Sequence, residues 1–313
     1  MIDLIREPLQ YEFMVRGFLA AIIVGVVSAT LGTYVVLRGM AFLGNALSHA
    51  ILPGVAVGYL IEGGSRGLLF WWALLAAIIS SIGIGTISRN TRVKEDSAIG
   101  IVFAGMFALG IALISTVRSY SVDLTHFLFG NVLSVGSSDL WLISIFGGLI
   151  LLTILAFYKE LLVLSFDRVL AITLRLPVTL LDYLLMVLIA VAIVVSLQTV
   201  GIALMAAMLV TPAATAYLLT RRLPVMMAIG SGIAVLSSIV GFYLSYYLGI
   251  ASGAAIVLTS TLCFMLTWVL QAARRYLAIH REPVAERPVT PTRPATSTRT
   301  EQSEVEERTG VGS

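Results

Sequence analysis

The sequence predicts an all-α polytopic membrane protein, and three observations predict it. Of 313 residues, 58% are hydrophobic and only 12% are charged, with a mean hydropathy of +0.99. Soluble domains carry roughly 25% charged residues. The apolar residues gather into charge-free windows, most of them close to the ~20 residues that cross a bilayer. The basic residues lie between those windows and favour one side.

Taken in order, the windows are Gly17–Leu37, Gly39–Ile61, Gly67–Ser88, Ser97–Val117 and Leu140–Tyr158, followed by Tyr183–Thr220 and Leu223–Ala273. The last two are too long for one span each, so each holds two. That gives nine transmembrane helices, or eight if Tyr183–Thr220 holds one span and a partly inserted piece. The ambiguity sits at Gln198–Gly201, which reads equally as a turn or a helix interior. Residues 1–16 form an N-terminal segment that lies on the membrane surface, and residues 17–273 form the transmembrane domain. Residues 274–313 form a tail. Within it, Glu282–Ser313 is rich in Pro, Thr, Glu and Arg. Such a composition buries too little surface to offset the entropy of ordering, so the tail reads as disordered.

Basic loop residues favour the cytoplasm. With nine spans and the C-terminus inside, the inside set holds eleven: Arg38, Arg89, Arg92, Lys94, Lys159, Arg168, Arg175, Arg221, Arg222, Arg274 and Arg275. The outside set holds four, Arg6, Arg16, Arg66 and Arg118. The C-terminus is therefore placed in the cytoplasm. Topology accounts for most of the basic residues, so the net charge of +3 points to no nucleic-acid partner; the lipid bilayer is the expected surrounding. Asp3, Arg6 and Glu7 break the pattern of a cleavable signal peptide, and a single cysteine, Cys263, excludes an internal disulfide.

Several activities are disfavoured. The only lysines are Lys94 and Lys159, and neither follows a glycine-rich phosphate loop, so the chain is not expected to hydrolyse ATP by itself. Glu62, Asp139, Glu160 and Asp182 all lie at window edges. Proton-coupled carriers rely on ionisable groups inside the membrane. Here the interior offers one histidine and no carboxylate, which suits a permease driven by a partner better than a stand-alone channel or secondary carrier.

That histidine lies in Gly44-Asn45-Ala46-Leu47-Ser48-His49-Ala50-Ile51-Leu52-Pro53-Gly54. Asn45 and His49 are four apart and share one helix face. An amide oxygen and an imidazole nitrogen on one face suit a divalent transition metal. The alternative is an interior histidine donating to a carbonyl of a neighbouring helix. Ser48 reads as helix packing, and Pro53-Gly54 as a kink beyond the histidine.

Ser165–Pro177 reads as a short amphipathic helix. Phe166, Val169, Leu170 and Leu174 follow a helical repeat, Asp167 sits near the favourable N-terminal dipole, and Pro177 limits the extension. Such a helix either inserts into a groove on another protein or rests on the bilayer surface.

Four stretches now converge on a family: Glu7–Arg16, Val36–Gly54, Ser165–Pro177 and Val200–Ala216. Over Ile5 to Gln271 the chain resembles the membrane-spanning permease subunits of ATP-binding-cassette importers for manganese, zinc and iron. The Ser-His-Ala-x-Leu-Pro-Gly signature at Ser48–Gly54 leans toward manganese-type members, which commonly carry an aspartate where this chain has Asn45. The resemblance implies a prokaryotic cytoplasmic membrane and a homodimer around a two-fold axis. It also implies two cytoplasmic ATP-binding subunits and an extracytoplasmic metal-binding protein. No cofactor is expected to be permanently bound; the metal is cargo. His49 and Asn45 would contact it in passing. Phe166, Asp167, Arg168, Leu170, Leu174, Leu176 and Pro177 would couple to the ATPase. An importer of a metal chelate is the related alternative, though a His/Asn pair better suits a bare ion.

The remaining candidates have plainer readings. Asp123 and His126 either greet a cation outside or cap a short helix, and His280 is inert. The ten methionines are scattered as core filler rather than arranged as a soft-metal path. Pro212 marks a kink or a helix end.

Overall fold

The computed structural model describes residues 10–62, 66–116 and 135–279. Arg6, Arg118, Asp123, His126, His280 and Glu282–Ser313 lie outside these. Among the described residues the regular structure is helical. The helices are α1 (Glu12–Leu37), α2 (Leu43–Ala50), α3 (Leu52–Glu62), α4 (Arg66–Asn90), α5 (Glu95–Ser115) and α6 (Ser137–Ala156). They continue as α7 (Tyr158–Phe166), α8 (Arg168–Thr173), α9 (Val178–Val200), α10 (Ile202–Leu219), α11 (Leu223–Leu248) and α12 (Ser252–Ile279). Among the described residues eight spans are long and apolar enough to cross a membrane, α2 and α3 acting together as one, and α10 is a shorter apolar helix. The chain up to Gln271 forms one compact unit, and a second begins at Ala272 within α12.

Helix α1 is the centre of the bundle and packs on α6, α9, α10 and α11. Its small residues allow this, because membrane helices associate through close backbone approach and interhelical hydrogen bonds. Gly25 faces Ala234 and Ser238 of α11, and Ser238 Oγ donates to the Ala21 carbonyl over 3.3 Å. Ser28 reaches the Met205 sulfur of α10 at 3.2 Å. Of the expected surface segment, residues 12–16 belong to this helix and residues 1–9 lie outside the described residues: α1 starts at Glu12, Met14 is buried, and Arg16 pairs with Glu12 one turn back.

The breaks have local causes. Gly201 adopts φ +85°, a conformation closed to most side chains, and it alone breaks the chain between α9, which runs to Val200, and α10. Pro212 lies inside α10 rather than at its end. Between α2 and α3 only Ile51 interrupts the helix. Pro53 then falls in the first turn of α3, where its missing N–H forfeits little. Gly54 lets α3 touch α4; a Cβ there would stand 2.2 Å from the Trp72 carbonyl oxygen.

The segment expected as one helix over Ser165–Pro177 is divided. Ser165 and Phe166 finish α7, and Asp167 caps α8, accepting from the Val169 and Leu170 amides at 2.9 and 3.0 Å. Asp167 is extended (φ −146°), which ends one helix and starts the next.

Candidate metal site

Helix α2 follows α1 after a five-residue connection. Leu43, Gly44, Ala46, Leu47, Ser48 and Ala50 are buried, so only Asn45 and His49 keep partial exposure. Gly44 faces the Leu209 side chain of α10, which fixes the opposite side of the helix. Ser48 Oγ donates to the Gly44 carbonyl at 2.8 Å, a packing role. The two polar side chains on the open face are thus the pair separated by one turn.

His49 is held by aromatic edges. Phe103 and Phe107 of α5 stack on each other with ring centroids 5.7 Å apart. Each meets the imidazole in a tilted, edge-type contact, at 5.9 and 5.8 Å. Phe42 abuts Phe103 from the start of α2. His49 Nδ1 is buried with no hydrogen-bond partner among the described residues; Nε2 is not buried in this way. The alternative of an interior histidine bonded to a neighbouring carbonyl finds no such bond at Nδ1 among the described residues.

Metal-ligating histidines ordinarily donate their second nitrogen to an oxygen, which raises ligand basicity. His49 Nδ1 has no such partner among the described residues. Among the described residues no group of three or more His, Cys, Asp or Glu side chains gathers to hold an ion.

The coupling candidates lie apart from this pair. Phe166, Asp167, Arg168, Leu170, Leu174 and Pro177 are exposed and Leu176 is half-buried, while α8 buries only Ala171. Arg175 takes the left-handed conformation (φ +56°) that closes α8. Its amide bonds the Ile172 carbonyl at 2.9 Å, and the Leu176 amide bonds that of Ala171 at 3.1 Å, a Schellman ending built on arginine instead of glycine. An open cleft of about 550 Å3 lies beside it, lined by Ile172, Leu176, Pro177, Val178 and Tyr183.

Sequence reasoning placed Asp182 at a span edge and missed its surroundings. Its carboxylate is buried in the second turn of α9. Oδ1 accepts from Arg38 at 2.8 Å, and Oδ2 accepts from Arg89 and lies 3.3 Å from Arg168. The Arg38 and Arg89 side chains are 10% and 16% exposed, against 55% for Arg168. Leaving a buried charge unpaired costs about 3–5 kcal/mol, whereas an exposed pair contributes less than about 1 kcal/mol. The available signal was charge: all three arginines belong to the inside set. Phe103 and Phe107 gave a fainter one, two aromatics one turn apart.

Comparison with known proteins matches this architecture. Residues 10–271 match the ABC 3 transport family. The manganese transport system membrane protein MntC of Halalkalibacterium halodurans is 48% identical over 84% of this chain and 88% of its own. A probable iron transport system membrane protein of Haemophilus influenzae is 38% identical over 85% and 96%. The solved structure of PsaBC from Streptococcus pneumoniae, in complex with Fab, superposes with a TM-score of 0.76 at 40% identity, covering 90% of this chain and all of that one. With eight spans of bilayer length and a family match over most of its residues, the chain is a multi-pass membrane protein that belongs to the ABC 3 transport family.

Proposed function

We propose that this chain is the permease subunit of an ATP-driven importer of divalent metal ions, with manganese its preferred cargo. The observation that carries this is the open face of α2, where Asn45 and His49 keep partial exposure on an otherwise buried helix and His49 Nδ1 has no hydrogen-bond partner among the described residues. A second copy related by a two-fold axis would bring two imidazoles and two amide oxygens to one ion. Helix α5, which walls His49, exposes Ala104, Ala108 and Ala112, small residues of the kind that let membrane helices approach closely.

The energy comes from two cytoplasmic ATP-binding subunits. The exposed apolar side chains Phe166, Leu170 and Leu174 and the cleft at Leu176 and Pro177 suit insertion into a groove on such a partner. ATP hydrolysis belongs to those subunits, and this chain converts their motion into alternating access. A metal-binding protein delivers the ion on the opposite side of a prokaryotic cytoplasmic membrane. Manganese is favoured because the Halalkalibacterium relative is named for manganese transport, and the amide oxygen of Asn45 suits that ion. The likeness to a probable iron transporter favours iron as the second cargo.

The test is elemental analysis of metal-limited cells carrying the complete complex, wild type against His49→Ala. Manganese should accumulate in the first and not the second, with equal membrane insertion. Equal accumulation in both would remove His49 from the path.

A further inference from the structure

Three elements reach one carboxylate carried by a fourth. Asp182 of α9 receives Arg38 from the end of α1, Arg89 from the last turn of α4 and Arg168 from the first residue of α8. Glu95, at the start of α5, lies within electrostatic reach of the same four groups. Arg89 also lies over the Tyr183 ring at 5.0 Å, and Tyr183 OH is 3.0 Å from Thr86 Oγ1, so α4 and α9 are clamped together here.

The three arms differ. The Arg38 and Arg89 side chains are mostly covered. Arg168 is exposed, and it reaches by a longer contact an oxygen that Arg89 already holds. Arg38 uses only Nη1 on Asp182; its Nε and Nη2 are buried without a partner among the described residues. An arginine fork can grip a carboxylate with two donors. When Arg168 withdraws, Asp182 can turn onto the free donors of Arg38. The unused Arg38 donors leave a second arrangement open beside the one observed, and a coupling element requires two.

Arg38 also leads into the metal helix. It closes α1, and the turn after it, tied by the Met40 amide to the Val35 carbonyl (3.0 Å) and the Leu43 amide to the Met40 carbonyl (2.9 Å), enters α2 with Asn45 and His49. We propose that Asp182 is a positioning residue for transport, passing movement of the coupling segment through Arg168 and Arg38 to the helix that carries Asn45 and His49. This inference rests on the reading of Ser165–Pro177 as the ATPase-coupling segment.

The experiment uses the full complex in proteoliposomes and measures manganese moved per ATP hydrolysed. Asp182→Asn should assemble and hydrolyse ATP, with manganese per ATP lowered on the order of tenfold, the size of a typical coupling between sites. Asp182→Glu keeps the charge but changes its reach. Should Asp182→Asn fail to fold, Asp182→Glu must show the same loss of manganese per ATP. Arg168→Gln should lower the ratio in the wild-type background and add nothing in the Asp182→Asn or Asp182→Glu background. Additive losses, an unchanged ratio in an assembled variant, or hydrolysis and uptake falling in proportion would each overturn the inference. Leu170→Asp separates it from the coupling reading. If Leu170→Asp releases the ATPase while the Asp182 variants keep the ratio, only the role of Asp182 falls. If Leu170→Asp leaves the ATPase bound and transport intact, the coupling reading falls and takes the inference with it.

Discussion

Replacing Asn45 with aspartate isolates charge from shape, since the two side chains have nearly the same volume. Asn45 is half-buried, so an effective dielectric near 20 applies. Two unit charges 4 Å apart then attract by about 4 kcal/mol, and a divalent ion doubles this. Taking the carboxylate partly out of water returns several kcal/mol. A net gain of about 1.4–2.8 kcal/mol remains, or roughly ten- to a hundredfold tighter binding. The new charge also compensates an ion that otherwise meets only neutral donors. Isothermal titration of manganese into the assembled Asn45→Asp complex should show this tightening. Uptake should saturate at lower manganese and turn over more slowly, because release is retarded. Unchanged affinity in a correctly assembled variant would refute the reasoning and place position 45 away from the ion.

Other consequences follow from single contacts. Edge contacts between aromatic rings contribute about 0.5–1.5 kcal/mol, so Phe107→Leu should loosen the His49 ring and raise the half-saturating manganese concentration in uptake assays by roughly two- to tenfold. Gly54→Ala puts a Cβ 2.2 Å from the Trp72 carbonyl oxygen, which forces α3 from α4. That should destabilise the fold by about 1–3 kcal/mol, seen as a lower Tm of the purified protein. Arg175→Gly should leave the Tm unchanged or higher, whereas Arg175→Val should cost about 1–2 kcal/mol by strain at the left-handed position. Deleting Glu282–Ser313 should leave manganese uptake nearly intact in the same vesicle assay.

The spans were legible because charge-free length is a property of the chain alone. The turn at Gly201 was half-legible: glycine permits a break but also sits inside membrane helices, and only the backbone φ decides. The division at Asp167 was hidden. The apolar repeat runs unbroken from Phe166 to Leu174, while the stop comes from an aspartate that caps α8 with its side chain. Asn45 and His49 were legible as a pair because four residues make one helical turn. Phe103 and Phe107 were not, because their contact with His49 joins α2 to α5. Asp182 was legible only as an edge charge. Its partners lie 144, 93 and 14 residues away in sequence, a separation that no local pattern encodes.

The central claim is that His49 touches the travelling ion, and electron spin-echo spectroscopy of manganese held in the complex tests it most directly. An imidazole nitrogen coupling should appear in the wild type and vanish in His49→Ala, while the variant still inserts and assembles. A spectrum with no nitrogen coupling, or one that persists without the histidine, would contradict the account.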